Sequence, residues 1–154
     1  MERILGIDFG SKRVGLAVSD PLGIFASALD TVPAAKVMVY LQTYLLEQPI
    51  SHFVVGYPKN LDNTPSENAL NVATFVKQLK KKFPKIPVFL EDERYTSKMA
   101  FRSMIDGGVK KMQRRDKAMV DRVSAALILQ TYLDYHHNLV KPWFSLSIYM
   151  VPKC

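Results

Sequence analysis

Three places in the sequence put carboxylates where a folding chain does not ordinarily leave them. Asp8 closes the short apolar run Ile4–Asp8, Glu91-Asp92-Glu93 closes the run Val88–Leu90, and Asp121 stands in a helical stretch between Val120 and Val123. A lone charge at the end of a buried strand is costly, and several carboxylates brought together repel one another unless a cation compensates them. If these acids met at the carboxyl edge of a sheet, their oxygen-only donor set would select Mg²⁺ or Mn²⁺. Two such ions can activate water and stabilise the leaving oxygen of a phosphodiester. The same acids can equally form ordinary salt bridges with Lys12, Arg13, Arg94 and Arg122, and spacing alone does not separate these readings.

Charge narrows the partner. The 154 residues carry 21 Lys and Arg against 14 Asp and Glu, a net charge of +7. The excess is lopsided: residues 1–76 are net −2 and residues 77–154 net +9. Part of it is the stretch Lys110, Lys111, Arg114, Arg115 and Lys117 around the single acid Asp116. Such an asymmetry points to a polyanion, either nucleic acid or a phosphate-rich substrate. With 48% hydrophobic and 23% charged residues, the composition is that of one soluble globular domain. No apolar run approaches the ~20 residues of a membrane span, and Met1-Glu2-Arg3 does not open a hydrophobic signal segment. A single cysteine, Cys154, leaves no internal disulfide framework or Cys-rich zinc site. The expected setting is the reducing cytoplasm, without membrane attachment.

The elements that must position the acids are read from periodicity. Ile4–Asp8 and Val14–Val18, joined by Gly10-Ser11-Lys12-Arg13, predict a hairpin, and Ile24–Val32 extends it to a meander. Val37, Tyr40, Leu41, Tyr44 and Leu45 predict a helix over Ala34–Glu47, followed by a short buried strand at Phe53–Gly56. Thr64-Pro65-Ser66-Glu67 is an N-terminal helix signal. It opens an apolar stripe of Ala69, Val72, Ala73, Val76, Leu79 and Phe83, with Lys77, Lys80, Lys81 and Lys82 mostly off it. Val88–Leu90 is the next strand, and Thr96 caps a helix that Gly107-Gly108 stops. Asp116 caps a last long helix to about Tyr135, with Met119, Val123, Ala126, Leu127 and Gln130 on one face. Small Ser124, Ala125 and Ala126 would let this helix press closely onto the sheet. The order βββαβαβαα predicts an α/β fold, a mixed five-stranded sheet of a three-stranded antiparallel meander plus parallel strands, flanked by helices.

Four segments carry a family resemblance. Asp8-Phe9-Gly10-Ser11-Lys12-Arg13-Val14-Gly15-Leu16-Ala17-Val18-Ser19-Asp20 is similar to the N-terminal signature of the YqgF family, also called RuvX. Val54-Val55-Gly56-Tyr57-Pro58-Lys59-Asn60-Leu61-Asp62 resembles its second motif, Asp92-Glu93-Arg94-Tyr95-Thr96-Ser97 its third and Val120-Asp121-Arg122-Val123-Ser124-Ala125-Ala126 its fourth. The sequence departs from the family pattern at Asn63, Tyr57, Lys59 and Tyr95, beside the acids. The family is related to the RuvC Holliday-junction resolvases and implies a ribonuclease H-like fold over residues 1–140, with residues 141–154 a tail of unassigned role. It implies a catalytic, metal-binding set of Asp8, Glu93 and Asp121, with Asp92 as an accessory, and two Mg²⁺ or Mn²⁺ ions. The activity implied is hydrolysis of phosphodiester bonds at the 5′ end of pre-16S ribosomal RNA during ribosome biogenesis. The expected nucleic-acid contacts are Lys12, Arg13, Arg94, Lys110, Lys111, Arg114 and Arg115.

Two alternatives stand beside this reading. A Holliday-junction resolvase would act on branched DNA and normally needs a symmetric dimer, whereas an RNA nuclease is expected as a monomer or weak homodimer. A non-catalytic RNA-binding module on ribosomal precursor particles would keep the basic half and need none of the acids. The Asp-x-Gly turn also resembles the phosphate loop of actin-like and sugar-kinase ATPases, but those close two such domains over ATP and this chain has length for one. His136-His137 is expected to interact with a helix C-terminus rather than to bind metal, and His52 to sit at a strand entrance. Trp143 and Phe144 either stack on bases or pack down the tail.

Overall fold

The computed structural model describes residues 2–58, 68–92 and 116–137. Apolar residues alternate or run continuously through β1 (Arg3–Phe9), β2 (Arg13–Ser19) and β3 (Ala26–Pro33), which pair antiparallel as a meander. Two later strands, β4 (Ile50–Tyr57) and β5 (Val88–Asp92), run parallel to β1, so the sheet order is β3-β2-β1-β4-β5. Parallel strands need crossover connections, and the helices that supply them cover the sheet faces. This is the α/β sheet that the sequence predicts, with several boundary changes, among them longer β4 and β5 strands. β3 begins at Ala26 rather than Ile24, because Ile24 and Phe25 donate their amides to the Asp20 carboxylate in a turn whose Gly23 has φ 70°. Those bonds hold the Asp20 carboxyl below its ordinary value, and they make it a structural acid. The helix expected from Ala34 starts as a 3₁₀ turn at Ala34–Lys36 and becomes α1 only at Val37–Glu47.

The two faces are packed differently. On one, α1 and α2 (Ala69–Lys82) bury large side chains: Leu5, Ile7, Leu16, Leu41, Phe53, Val55, Val72, Phe75 and Leu79 form a continuous core. Phe75 joins the buried stripe of α2, stacking on Phe9 with ring centroids 4.5 Å apart, while Ala73 is only partly buried. The Thr64 helix-start signal lies outside the described residues; α2 is tied to the sheet by Asn68, whose Nδ2 donates to the Phe9 carbonyl at 2.9 Å.

Among the described residues, the other face is covered by one long helix, α3 (Lys117–Tyr132), capped as expected by Asp116, which accepts from the Ala118 amide at 3.0 Å. The face it buries is Ser124, Ala125, Ile128 and Leu129, not the Met119, Val123, Ala126, Leu127 and Gln130 face that periodicity predicts. Close approach decides this. A Cβ placed on Gly6 of β1 would lie 2.7 Å from the Leu129 Cβ, and one on Gly15 of β2 would overlap the Asp121 carbonyl oxygen. Glycines on the sheet let the helix lie close on its Ser124, Ala125, Ile128 and Leu129 side, and Val123 and Leu127 stay only partly buried. Gln130 serves instead as a polar clasp, accepting from the Ala26 amide and donating to the Ile24 carbonyl. The helix predicted from Thr96 and the tail from 141 to 154 lie outside the described residues. Among the described residues no helix is long and apolar enough to cross a membrane.

Candidate active site

Strand parity fixes the direction of each carboxylate. Asp8 pairs with Gly15 across the β1–β2 ladder, and directly opposed residues project to the same face. Gly15 faces the Asp121 backbone, so the Asp8 side chain projects to the α3 face, at the edge where α3 begins. Two acids separated by more than a hundred residues of sequence are thereby brought to one edge and one face. Asp121 accepts a 2.7 Å ion pair from Arg13 Nε, with Arg13 39% and Asp121 23% exposed. Arg13 is held there by the tight β1–β2 turn, in which the Gly10 amide donates to the Arg13 carbonyl at 2.9 Å. A Cβ on Gly10 would lie 2.7 Å from that same oxygen, so the turn needs glycine. Lys12 is exposed at the turn and carries its charge into solvent beside the acids.

The acidic end of β5 divides between the faces. Asp92 pairs with Tyr57, which packs on the α1–α2 core, and Asp92 therefore projects away from Asp8 and Asp121. The accessory role expected for Asp92 does not match this orientation. Glu91 has the opposite parity and lies on the α3 side, with its Oε1 3.3 Å from His136 Nε2. Burial raises the Glu91 carboxyl above its ordinary value, and nearby His136 partly opposes that rise. His136 sits in a π-helical turn, Leu133–His137, that ends α3, and its partner is a strand carboxylate rather than the helix terminus alone. Glu91 was available to sequence reasoning through the period-two alternation of β5, which separates it from Asp92. His52, near the start of β4, packs edge-on against Phe89 and Tyr132, at 5.1 and 5.5 Å between ring centroids.

Glu93, Arg94, Lys110, Lys111, Arg114 and Arg115 lie outside the described residues. Among the described residues no three His, Cys, Asp or Glu side chains form a metal-sized group. Asp8 and Asp121 supply two carboxylates, an all-oxygen pair suited to a hard divalent cation, and Glu93 follows Asp92 directly in the chain.

Comparison with known proteins gives a consistent result. A family profile described as "RuvX: Holliday junction resolvase" matches residues 2–135. A protein of Phocaeicola vulgatus named "Putative pre-16S rRNA nuclease" is 48% identical over 134 residues, covering 87% of this chain and 96% of its own. One of the same name from Christiangramia forsetii is 49% identical over 133 residues, covering 86% and 98%. Among solved structures, T. thermophilus RuvC in complex with a Holliday junction substrate superposes with a TM-score of 0.54 at 17% identity, covering 89% of this chain and 98% of that one. That likeness establishes a shared ribonuclease H-like fold.

Proposed function

The chain belongs to the RuvX family, and from that membership and the site we propose that it is a divalent-ion-dependent nuclease acting on the 5′ end of pre-16S ribosomal RNA in the cytoplasm. The observation that carries this reading is the convergence of Asp8 and Asp121 on one sheet edge and one face, beside the cations Lys12 and Arg13. RNA is preferred over branched DNA because the relatives near 48% identity are named for ribosomal RNA, whereas the junction-bound structure shares 17%.

The residues divide the work. Asp8, Asp121 and Glu93 would hold the ions, since carboxylate oxygens are the donors that Mg²⁺ and Mn²⁺ take. Bound there, the ions supply activation of water and stabilisation of charge on the scissile phosphate. β1 fixes the Asp8 backbone through its ladders with β2 and β4, so that carboxylate is positioned by a central strand rather than a loop. α3 fixes Asp121 through its contact with Gly15. Arg13 neutralises Asp121 and keeps a guanidinium at the mouth of the site, where its remaining donors face an incoming phosphate. Lys12 adds a second cation at the same turn. Arg94 and the basic stretch Lys110, Lys111, Arg114 and Arg115 are assigned to binding the rest of the RNA.

The test is cleavage of a 5′-leader pre-16S RNA and of a four-way DNA junction by wild type and Asp8→Asn, each with Mg²⁺, Mn²⁺ or EDTA. The proposal expects RNA cleavage by wild type with either ion, none with EDTA, and a loss of more than about 100-fold in Asp8→Asn with RNA binding retained. Junction cleavage without RNA cleavage would overturn the substrate assignment, and cleavage unaffected by Asp8→Asn would overturn the site.

A further inference from the structure

At the sheet edge opposite the acids is a second cavity, of about 490 Å³, lined by Arg3, Tyr40, Thr43, Tyr44, Glu47 and Gln48. Arg3 opens β1 and Asp8 lies five positions further along it, so the two edges are ~17 Å apart. The Tyr40 and Tyr44 rings, one helical turn apart on α1, are parallel within 10° with centroids 6.3 Å apart, and both line the cavity. The Asp30 carboxylate lies near the Tyr40 hydroxyl. Arg3 is fixed, with its Nη1 donating at 3.1 Å to the carbonyl of buried Ser19. Among the described residues no carboxylate forms an ion pair with Arg3; Glu47 lines the same cavity beyond ion-pair distance. Arg3 is thus a positioned cation with donors to spare, set beside two aromatic rings.

A ligand that uses all of these groups must be flat, to lie on the tyrosines, and anionic, to reach Arg3. It must also carry polar edge groups for the Thr43 hydroxyl, the Glu47 carboxylate and the Gln48 amide. We propose that this cavity binds one nucleotide, its base stacked on Tyr40 and Tyr44 and its phosphate on Arg3. The volume falls within the roughly 300–1,000 Å³ of small-molecule sites. Stacking on aromatic side chains accepts any base, because every base has a π-face. The nucleotide has two sources, a unit of the substrate RNA held away from the acids or a free mononucleotide. Only the first source rests on the RNA reading above.

The test uses the full chain as wild type, Arg3→Gln, Tyr44→Leu and Thr43→Glu, titrated with CMP, with a short RNA that cannot span the two edges, and with a longer one that can. Thr43 is exposed on α1, so Thr43→Glu places a repelling charge in the cavity without disturbing the core, and it guards against a folding defect in Tyr44→Leu. Each variant is expected to weaken CMP or the longer RNA by about 10-fold, with the short RNA and its cleavage unaffected. Weakened CMP binding assigns the cavity to free nucleotide; an effect confined to the longer RNA assigns it to substrate. Unchanged binding of both ligands in Arg3→Gln and Thr43→Glu overturns the proposal. Asp8→Asn separates this outcome from failure of the nuclease reading, since it removes cleavage and leaves CMP binding as in wild type.

Discussion

The two faces of this sheet solve different problems with different residues. Against α1 and α2 the sheet buries Leu, Ile, Val and Phe, and the helices stand off by the width of those side chains. Against α3 it presents Gly6 to Ala125 and Leu129 and Gly15 to the Asp121 backbone, where strand and helix backbones nearly meet. The first arrangement gives apolar area and hence stability. The second gives less area but sets Asp121 at a fixed height above the residue paired with Asp8. Close packing at the start of α3 is therefore a positioning device, and among the described residues the opposite face carries the larger apolar core.

The sharpest way to break the comparison is Gly15→Ala. At an ordinary strand position this change reduces unfolded-state entropy and can stabilise. Here the new methyl would overlap the Asp121 carbonyl, backbone that cannot yield cheaply, so a loss of about 3 kcal/mol or more is expected in urea unfolding. If Asp121 acts as proposed, the folded fraction should also lose cleavage by about 100-fold, because a shift of about 1 Å in a catalytic group is enough to do so. Leu79→Ala is the counterpart on the other face. It removes a fully buried side chain of α2 and should cost about 2–5 kcal/mol, with cleavage per folded molecule unchanged. If both variants lost stability and activity in the same proportion, the division of labour between the faces would be wrong.

Arg13→Gln is a smaller change that sharpens the electrostatic side of the comparison. The pair with Asp121 is partly exposed, so its loss is expected to cost no more than about 1 kcal/mol. In EDTA the variant should melt below wild type, and Mg²⁺ should raise its melting temperature more than that of wild type, because the ion then meets an uncompensated Asp121. Equal Mg²⁺ responses would mean that Arg13 and the ion do not share that carboxylate.

An effect seen only at high pH belongs to the α1 face. Burial, together with the charge and hydrogen bond of Asp30, pushes the Tyr40 hydroxyl up to about 12. The folded state then keeps a proton that the unfolded chain releases near 10. The associated stability is complete below pH 10 and lost as pH rises toward 12. Burial also raises Tyr44 and Tyr132, so an absorbance titration should show late-ionising tyrosines, of which Tyr40→Phe removes the latest step. If the step persists in Tyr40→Phe, another tyrosine is responsible.

Much of this arrangement is legible in the sequence because it is local. The runs Ile4–Asp8 and Val14–Val18 declare β1 and β2, and Asp116 declares the start of α3. A carboxylate closing an apolar strand singles out Asp8 as a candidate, although spacing alone does not separate a site from ordinary salt bridges. Local patterns fail where a partner distant in sequence sets the outcome. The amphipathic period of α3 selects Val123 and Leu127, whereas the sheet buries Ser124, Ala125, Ile128 and Leu129, the side that can lie close against Gly6 and Gly15. Glu91 and Asp92 read as one acidic cluster until pairing with Gly56 and Tyr57 sends them to opposite faces.

Sequence by itself determined which residues carry charge, which runs become strands or helices, and in what order, since these follow from side-chain chemistry and from periods of a few residues. Tertiary structure alone decided that Asp121 comes to the edge that holds Asp8, that Arg13 pairs with it across 108 positions, and that Asp92 turns away. Those outcomes depend on strand parity and on how closely a helix can approach a sheet. Both are set by the residues facing one another in space, not by those adjacent in the chain.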